Sequence, residues 1–177
     1  MSGNWKGLTD GVTSEWTLIA KVNPDQKEAL AEYAATQATR AKEEEDVVIG
    51  VGTVHDYRWV IFDNGTRVMF MSNFDGDWGQ YIDDFFATII VEKGFDDVLS
   101  FCEDYPGRSA SATAKKEWFQ AHTQQAVYYK RAYRGAVKEI WKALEVQKAF
   151  QSVLDDPKAA EALKDPALKP LLAEASD

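Results

Sequence analysis

Two β-rich runs, Val54 to Phe62 and Arg67 to Phe74, flank Asp63-Asn64-Gly65-Thr66, and this constrains the chain more than any other feature. Asn-Gly between such runs signals a hairpin, because both turn residues accept the positive φ that a tight turn demands. With Asn64 and Gly65 as the loop, Asp63 pairs with Thr66. The ladder continues with Phe62 opposite Arg67, Val60 opposite Met69, Arg58 opposite Met71 and Asp56 opposite Asn73. Strand side chains alternate between faces. His55, Tyr57, Trp59, Ile61, Val68, Phe70, Ser72 and Phe74 therefore share one face, and Val54, Asp56, Arg58, Val60, Phe62, Arg67, Met69, Met71 and Asn73 share the other. The first is strongly aromatic and belongs under helices. The second mixes apolar side chains with Asp56, Arg58 and Asn73, whereas a sheet face open to water is cleanly polar. A second copy packed sheet against sheet would cover it, so a homodimer is expected. A partly apolar cavity with a few polar groups between the sheets is then the expected ligand site.

The remaining elements fall around this hairpin. Trp16 to Val22 is short and β-rich and ends at Asn23-Pro24, which predicts the first strand and, with Asn23 as cap, the start of a helix reaching about Glu45. Tyr81, Ile82, Phe85, Phe86 and Ile89 fall on one side of a helix over Gly79 to Ile89, capped by Asp77. Shorter helices are expected over Phe95 to Asp104 and Ala114 to His122, the latter with Trp118 and Phe119 inward. Gln125 to Tyr133 is aromatic and β-prone and predicts a fourth strand. Val137 to Leu154 predicts a long helix with Ile140, Trp141, Leu144, Ala149 and Phe150 along its stripe. The order is that of an α+β protein of ferredoxin-like plan, a split β-α-β with a four-stranded antiparallel sheet and extra helices. Residues 1–15 read as a flexible arm, 16–155 as the domain, and 156–177, with three prolines, as a tail of short helical turns.

Composition excludes several classes. A chain of 177 residues can bury on the order of 20,000 Å² in one core. No run of about 18 apolar residues offers a membrane span, and Met1 to Trp16 shows no secretory signal. A single cysteine, Cys102, permits neither an internal disulfide nor a cysteine zinc cluster, so a reducing cytoplasm is expected. The net charge of −9 disfavours binding to a phosphate backbone, despite the basic and aromatic run Tyr128 to Tyr133. Phosphate loops, dinucleotide fingerprints and zinc spacings are absent from the sequence.

The segments His55-Asp56-Tyr57-Arg58-Trp59-Val60-Ile61, Met71-Ser72-Asn73-Phe74-Asp75-Gly76-Asp77, Gly94-Phe95-Asp96-Asp97 and Cys102-Glu103-Asp104-Tyr105-Pro106 resemble a poorly characterised group of bacterial ferredoxin-like domains. Through them, Trp16 to Asp155 resembles the dimeric α+β barrel superfamily. That resemblance implies the fold and the dimer. For function it implies a binder of small apolar or aromatic molecules, leaving cofactor-free and haem-type oxidoreductase chemistry open, with a non-catalytic dimeric binding or protein-interaction module as the alternative.

Among individual residues, His55 and Arg58 are the catalytic candidates. An imidazole can act as base or ligand, and a guanidinium can hold a carboxylate or oxyanion. The ladder sets them on opposite faces, so only a bulge would let them act together. Asp56, Arg58, Met69, Met71 and Asn73, with Tyr128 and Lys130 from the fourth strand, are the expected ligand-lining set. Asp75-Gly76-Asp77 with Asp83-Asp84 lacks the ligand spacing of a calcium loop, and helix capping explains these acids more simply. No metal is expected. Cys102 lies on an apolar stripe and reads as a buried, inert thiol. His122 reads as a favourable charge at a helix C-terminus.

Overall fold

The computed structural model describes residues 7–40, 51–87 and 95–175. Strand β1 (Thr13–Lys21) is followed by a 3-10 turn at Pro24–Gln26 and by α1 (Lys27–Arg40), then by β2 (Val54–Phe62) and β3 (Arg67–Asp75). Helices α2 (Trp78–Ala87), α3 (Asp96–Leu99), α4 (Ala112–His122) and α5 (Val137–Leu154) come next. Three 3-10 turns and α6 (Lys169–Glu174) complete the described chain. The protein is therefore α+β, with an antiparallel sheet of order β1-β3-β2.

The hairpin ladder has the predicted register from Phe62↔Arg67 through Asp56↔Asn73. Its turn is longer than expected: the ladder closes at Phe62↔Arg67, so Asp63 and Thr66 join Asn64 and Gly65 in a four-residue loop, in which Asp63 (φ 49°), Asn64 (φ 52°) and Gly65 (φ 78°) adopt left-handed backbone. Asp and Asn tolerate that region better than other side chains. Beyond Asp56 the register slips, pairing Val54 with Phe74 and leaving His55 as the extra residue of a bulge. The slip brings Val54 to the aromatic side, where it is buried.

That aromatic side carries the core. Trp16, Leu18, Ala20, Val68, Phe70 and Phe74 from the sheet pack with Leu30 of α1, Tyr81, Ile82 and Phe85 of α2, Leu99 of α3, and Trp118 and Phe119 of α4. β2 is an outer strand, so this cover thins there and leaves Tyr57 and Ile61 exposed. Asp77 caps α2 through its carboxylate, accepting from the Gly79 amide at 2.7 Å.

Three expectations change. β1 begins at Thr13, and Thr13, Ser14 and Glu15 are buried, so the sheet takes in part of the expected arm. The helix expected over Phe95 to Asp104 is one turn, Asp96–Leu99. Gln125 to Tyr133 carries no strand. The free edge of β1 instead receives single antiparallel bridges, Leu18↔Thr123 and Val22↔Cys102, with the Gln124 amide donating to the Thr17 carbonyl at 2.8 Å. β-Propensity reports fitness for a half-buried pleat and not the presence of a free edge. The described sheet therefore has three strands.

The chain divides into two compact units, Met1–Val137 and Lys138–Asp177. In the second, α5 keeps its predicted limits, with Leu144, Val146 and Val153 exposed. The tail forms the predicted short turns, whose prolines stand in their first positions. No described helix is long and apolar enough to cross a membrane.

Candidate functional site

The register places side chains in rows across the face opposite the core. Lys21-Arg67-Phe62, Ile19-Met69-Val60 and Thr17-Met71-Arg58 succeed one another, and Glu15-Asn73-Asp56 follows. Ile19, Val60, Phe62, Met69 and Met71 are half-buried, and Arg58 and Asp56 are exposed. The face thus grades from apolar rows in its middle to a carboxylate-rich end.

At the polar end Asp56, Asn73, Glu15, His55 and Asp75 are engaged with one another or with the backbone. Asn73 Nδ2 donates to both Asp56 carboxylate oxygens at 3.0 Å. Glu15 accepts from the Leu8 amide at 2.9 Å and from the Thr17 hydroxyl at 3.2 Å. His55 Nε2 lies 2.7 Å from Asp75 Oδ1 and 3.1 Å from Thr13 Oγ1. The Thr13 hydroxyl also donates to Asp75 Oδ1 at 3.0 Å, and the Val137 amide donates to Asp75 Oδ2 at 2.7 Å. A hydroxyl–imidazole–carboxylate relay needs its two partners on different ring nitrogens. Here both meet Nε2, and the imidazole side chain is only 3% exposed. His55, the extra residue of the bulge, is held by Asp75 and Thr13.

Residues 129–137 strap this end. Arg131 donates from Nε to Asp10 at 3.0 Å and from Nη1 to the Gly135 carbonyl at 3.1 Å. The backbone amides of Thr13 and Val12, and then Arg131, hold the Asp10 carboxyl down at about 2. Tyr133 sets its ring 6.0 Å from that of His55. Tyr129 is close enough to Asp56 to feel its charge. Burial, first among the causes, pushes its phenol up to about 12, and its hydroxyl is buried with no hydrogen-bond partner among the described residues. Tyr128 and Lys130, the expected lining residues of this segment, are exposed. The sequence alternation correctly separates 128 and 130 from 129, but the segment turns the opposite parity inward.

Arg58 stands differently from every group at the polar end. Its Nη2 rests on the Met71 thioether at 3.4 Å, and among the described residues it makes no ion pair. The carboxylate nearest in the register, Asp56, is taken by Asn73. In place of an Arg58–Asp56 ion pair the face carries an Asn73–Asp56 amide–carboxylate pair beside a guanidinium on sulfur.

A second polar cluster, unpredicted, lies on the core side. Lys115 of α4 and Asp96 of α3 are both buried. Lys115 Nζ donates to the Asp96 oxygens at 2.9 and 2.8 Å and to the Arg108 carbonyl at 3.0 Å, and the Tyr105 hydroxyl donates to Asp96. Burial, then Asp96 itself, drives the Tyr105 phenol far above its usual range. Every donor of the ammonium is used, so the cluster fastens the loop between α3 and α4 and offers no open valence.

The acids considered for calcium are individually occupied. Asp75 holds His55, Asp77 caps α2, Asp83 pairs with Lys116, and Asp84 accepts from Gln80. Among the described residues no group of three or more His, Cys, Asp or Glu side chains is placed to hold a metal ion. A haem would need an axial donor on the open face. His55 Nε2 is committed to Asp75, His122 ends α4, which packs its Trp118 and Phe119 into the core side of the sheet and not on the open face, and Cys102 is buried in the core. The donors on the face are the thioethers of Met69 and Met71, and this set does not fit a haem enzyme's imidazole or thiolate ligation.

Comparison with protein-family models, curated proteins and solved structures returns no match for this chain. The geometry therefore carries the functional reading unaided.

Burial, and then the charge of Glu103, raises the Cys102 thiol to about 12. Since the thiolate is the reactive form, Ellman's reagent at pH 8 should leave the folded protein unmodified over minutes. It should titrate the chain's single thiol after unfolding in guanidinium. Rapid labelling of the folded protein would place this thiol at the surface.

Proposed function

We propose that the face built by Ile19, Met69, Val60, Met71 and Arg58 binds a small apolar or aromatic molecule, within a homodimer that closes sheet on sheet. The observation that carries this reading is a continuous apolar strip, left half-exposed on the side away from the core. An antiparallel sheet with a solvated face places polar side chains there; this one places two methionines, a valine and an isoleucine. Methionine's flexible thioether suits a surface that must mould to a guest. The order β1-β3-β2, with Thr123 bridging the free edge of β1, agrees with a split β-α-β plan whose fourth strand has shrunk to one bridge. This supports the ferredoxin-like, dimeric α+β barrel kinship suggested by the sequence. The reading is of binding and not of turnover: His55 is committed to Asp75, and the open strip presents no base or nucleophile.

Sedimentation velocity at micromolar concentration should show a species of twice the 19.9 kDa chain mass. The neutral dye N-phenyl-1-naphthylamine should brighten and saturate on it. Met69→Lys should yield monomers with an unchanged melting temperature and no dye signal. A monomeric wild-type protein silent to the dye would overturn the proposal.

A further inference from the structure

We infer that the molecule bound on this face carries a compact anionic head, a carboxylate, and that Arg58 is the residue that selects it. The inference rests on the proposed binding face and adds the chemistry of its occupant.

Arg58 is an exposed guanidinium at the border of the apolar strip. Arg67 pairs with Asp63, Arg108 with Asp97, Lys115 with Asp96, Lys116 with Asp83 and Arg131 with Asp10, whereas Arg58, like Lys21 and Arg134, makes no ion pair among the described residues. Arg58 has a carboxylate one row away on its own face, yet both oxygens of Asp56 are taken by Asn73 Nδ2. The amide thereby orients the Asp56 carboxylate, which makes no direct pair with the guanidinium. Only one contact of Arg58 is seen among the described residues, the Met71 sulfur at 3.4 Å. Thioether sulfur is a weak acceptor, so it orients the group without satisfying it. A planar fork with its donors open, at the border of an apolar strip, matches a carboxylate bidentately. The strip itself takes the apolar body.

The test uses paired probes that differ only in the head group, 2-naphthoate and 2-naphthamide, each displacing N-phenyl-1-naphthylamine from the full-length protein. The naphthoate should bind about tenfold more tightly than the amide, the difference expected of one charge-assisted bidentate contact. Arg58→Ala should abolish that preference, bringing the naphthoate's affinity down to that of the amide while the protein remains a folded dimer. Arg58→Lys should retain part of it, because the point charge remains and the fork is lost. Equal affinity of the two probes on a protein that still binds the dye would overturn the carboxylate assignment and leave the binding face standing. Failure of the dye and of both probes would overturn the face itself, and the inference with it. A wild-type dimer that Arg58→Ala converts to monomers would assign the guanidinium to an acid of a second copy instead, and that outcome also overturns the inference.

Discussion

Lys115→Met is expected to destabilise the folded chain by about 3–5 kcal/mol, the usual consequence of leaving one charge of a buried pair behind. Lys115 and Asp96 are 6% and 2% exposed at their side chains, so solvent cannot replace the missing ammonium. After the substitution Asp96 keeps the Tyr105 hydroxyl as its remaining donor from the cluster, and the Arg108 carbonyl loses the ammonium. Urea titration followed by tryptophan fluorescence measures the loss as a fall in midpoint at constant slope. If Lys115→Met does not accumulate as folded protein, Tyr105→Phe tests the same cluster more gently. It removes one donor to a carboxylate and should cost about 1.5–3 kcal/mol. Asp96→Asn with Lys115→Met should recover much of the single-variant loss, because no uncompensated charge then remains. A Lys115→Met midpoint equal to that of the wild type would mean that water reaches the pair.

How legible this cluster was depends on distance along the chain. Asp96, Tyr105 and Lys115 come from a one-turn helix, a loop and a longer helix, and their encounter is a tertiary event. One signal was present: Lys115 precedes Trp118 by three residues and Phe119 by four, which sets it on the buried stripe of α4. A lysine there needs a buried partner. The hairpin was readable because its cues are local, with period-two alternation and a turn of residues that accept positive φ. The bulge at His55 was not, since one extra residue leaves the alternation on either side intact and shows only when the partner strand is laid beside it. The same limit explains Gln125 to Tyr133. Its aromatic residues suit a strand, but ties to Asp10 and Asp75 carry the segment over the opposite end of the sheet. On the open face, the sequence grouped Asp56, Arg58, Met69, Met71 and Asn73 correctly by parity and missed Tyr129, whose position depends on that strap.

Trp16→Ala should be the most damaging single change in the core, at about 3–5 kcal/mol. The side chain is fully buried and meets five rings: Phe70 at 5.2 Å, Phe119 at 5.5 Å, Trp78 at 5.8 Å, Phe95 at 6.1 Å and Tyr81 at 6.2 Å. These belong to the sheet, to α2, to α4 and to the segment that opens α3, so the indole is the body around which the layers close. Its Nε1 also donates to Thr123 Oγ1 at 2.9 Å, and that hydroxyl donates to the Phe119 carbonyl at 2.7 Å. Thr123 is the residue that bridges the free edge of β1. Trp16 therefore does two jobs that Trp16→Phe separates. Phenylalanine keeps most of the apolar contact and loses the N–H, which should cost about 1–3 kcal/mol through a poorer fit and a lost hydrogen bond. The edge should loosen more than the core: the Gln124 amide, bonded to the Thr17 carbonyl at 2.8 Å, should exchange with deuterium faster in Trp16→Phe than the global loss of stability accounts for. Equal acceleration at Gln124 and at the amides of β3 would mean that packing alone holds the edge. In that case the indole N–H fixes neither Thr123 nor the bridge it makes.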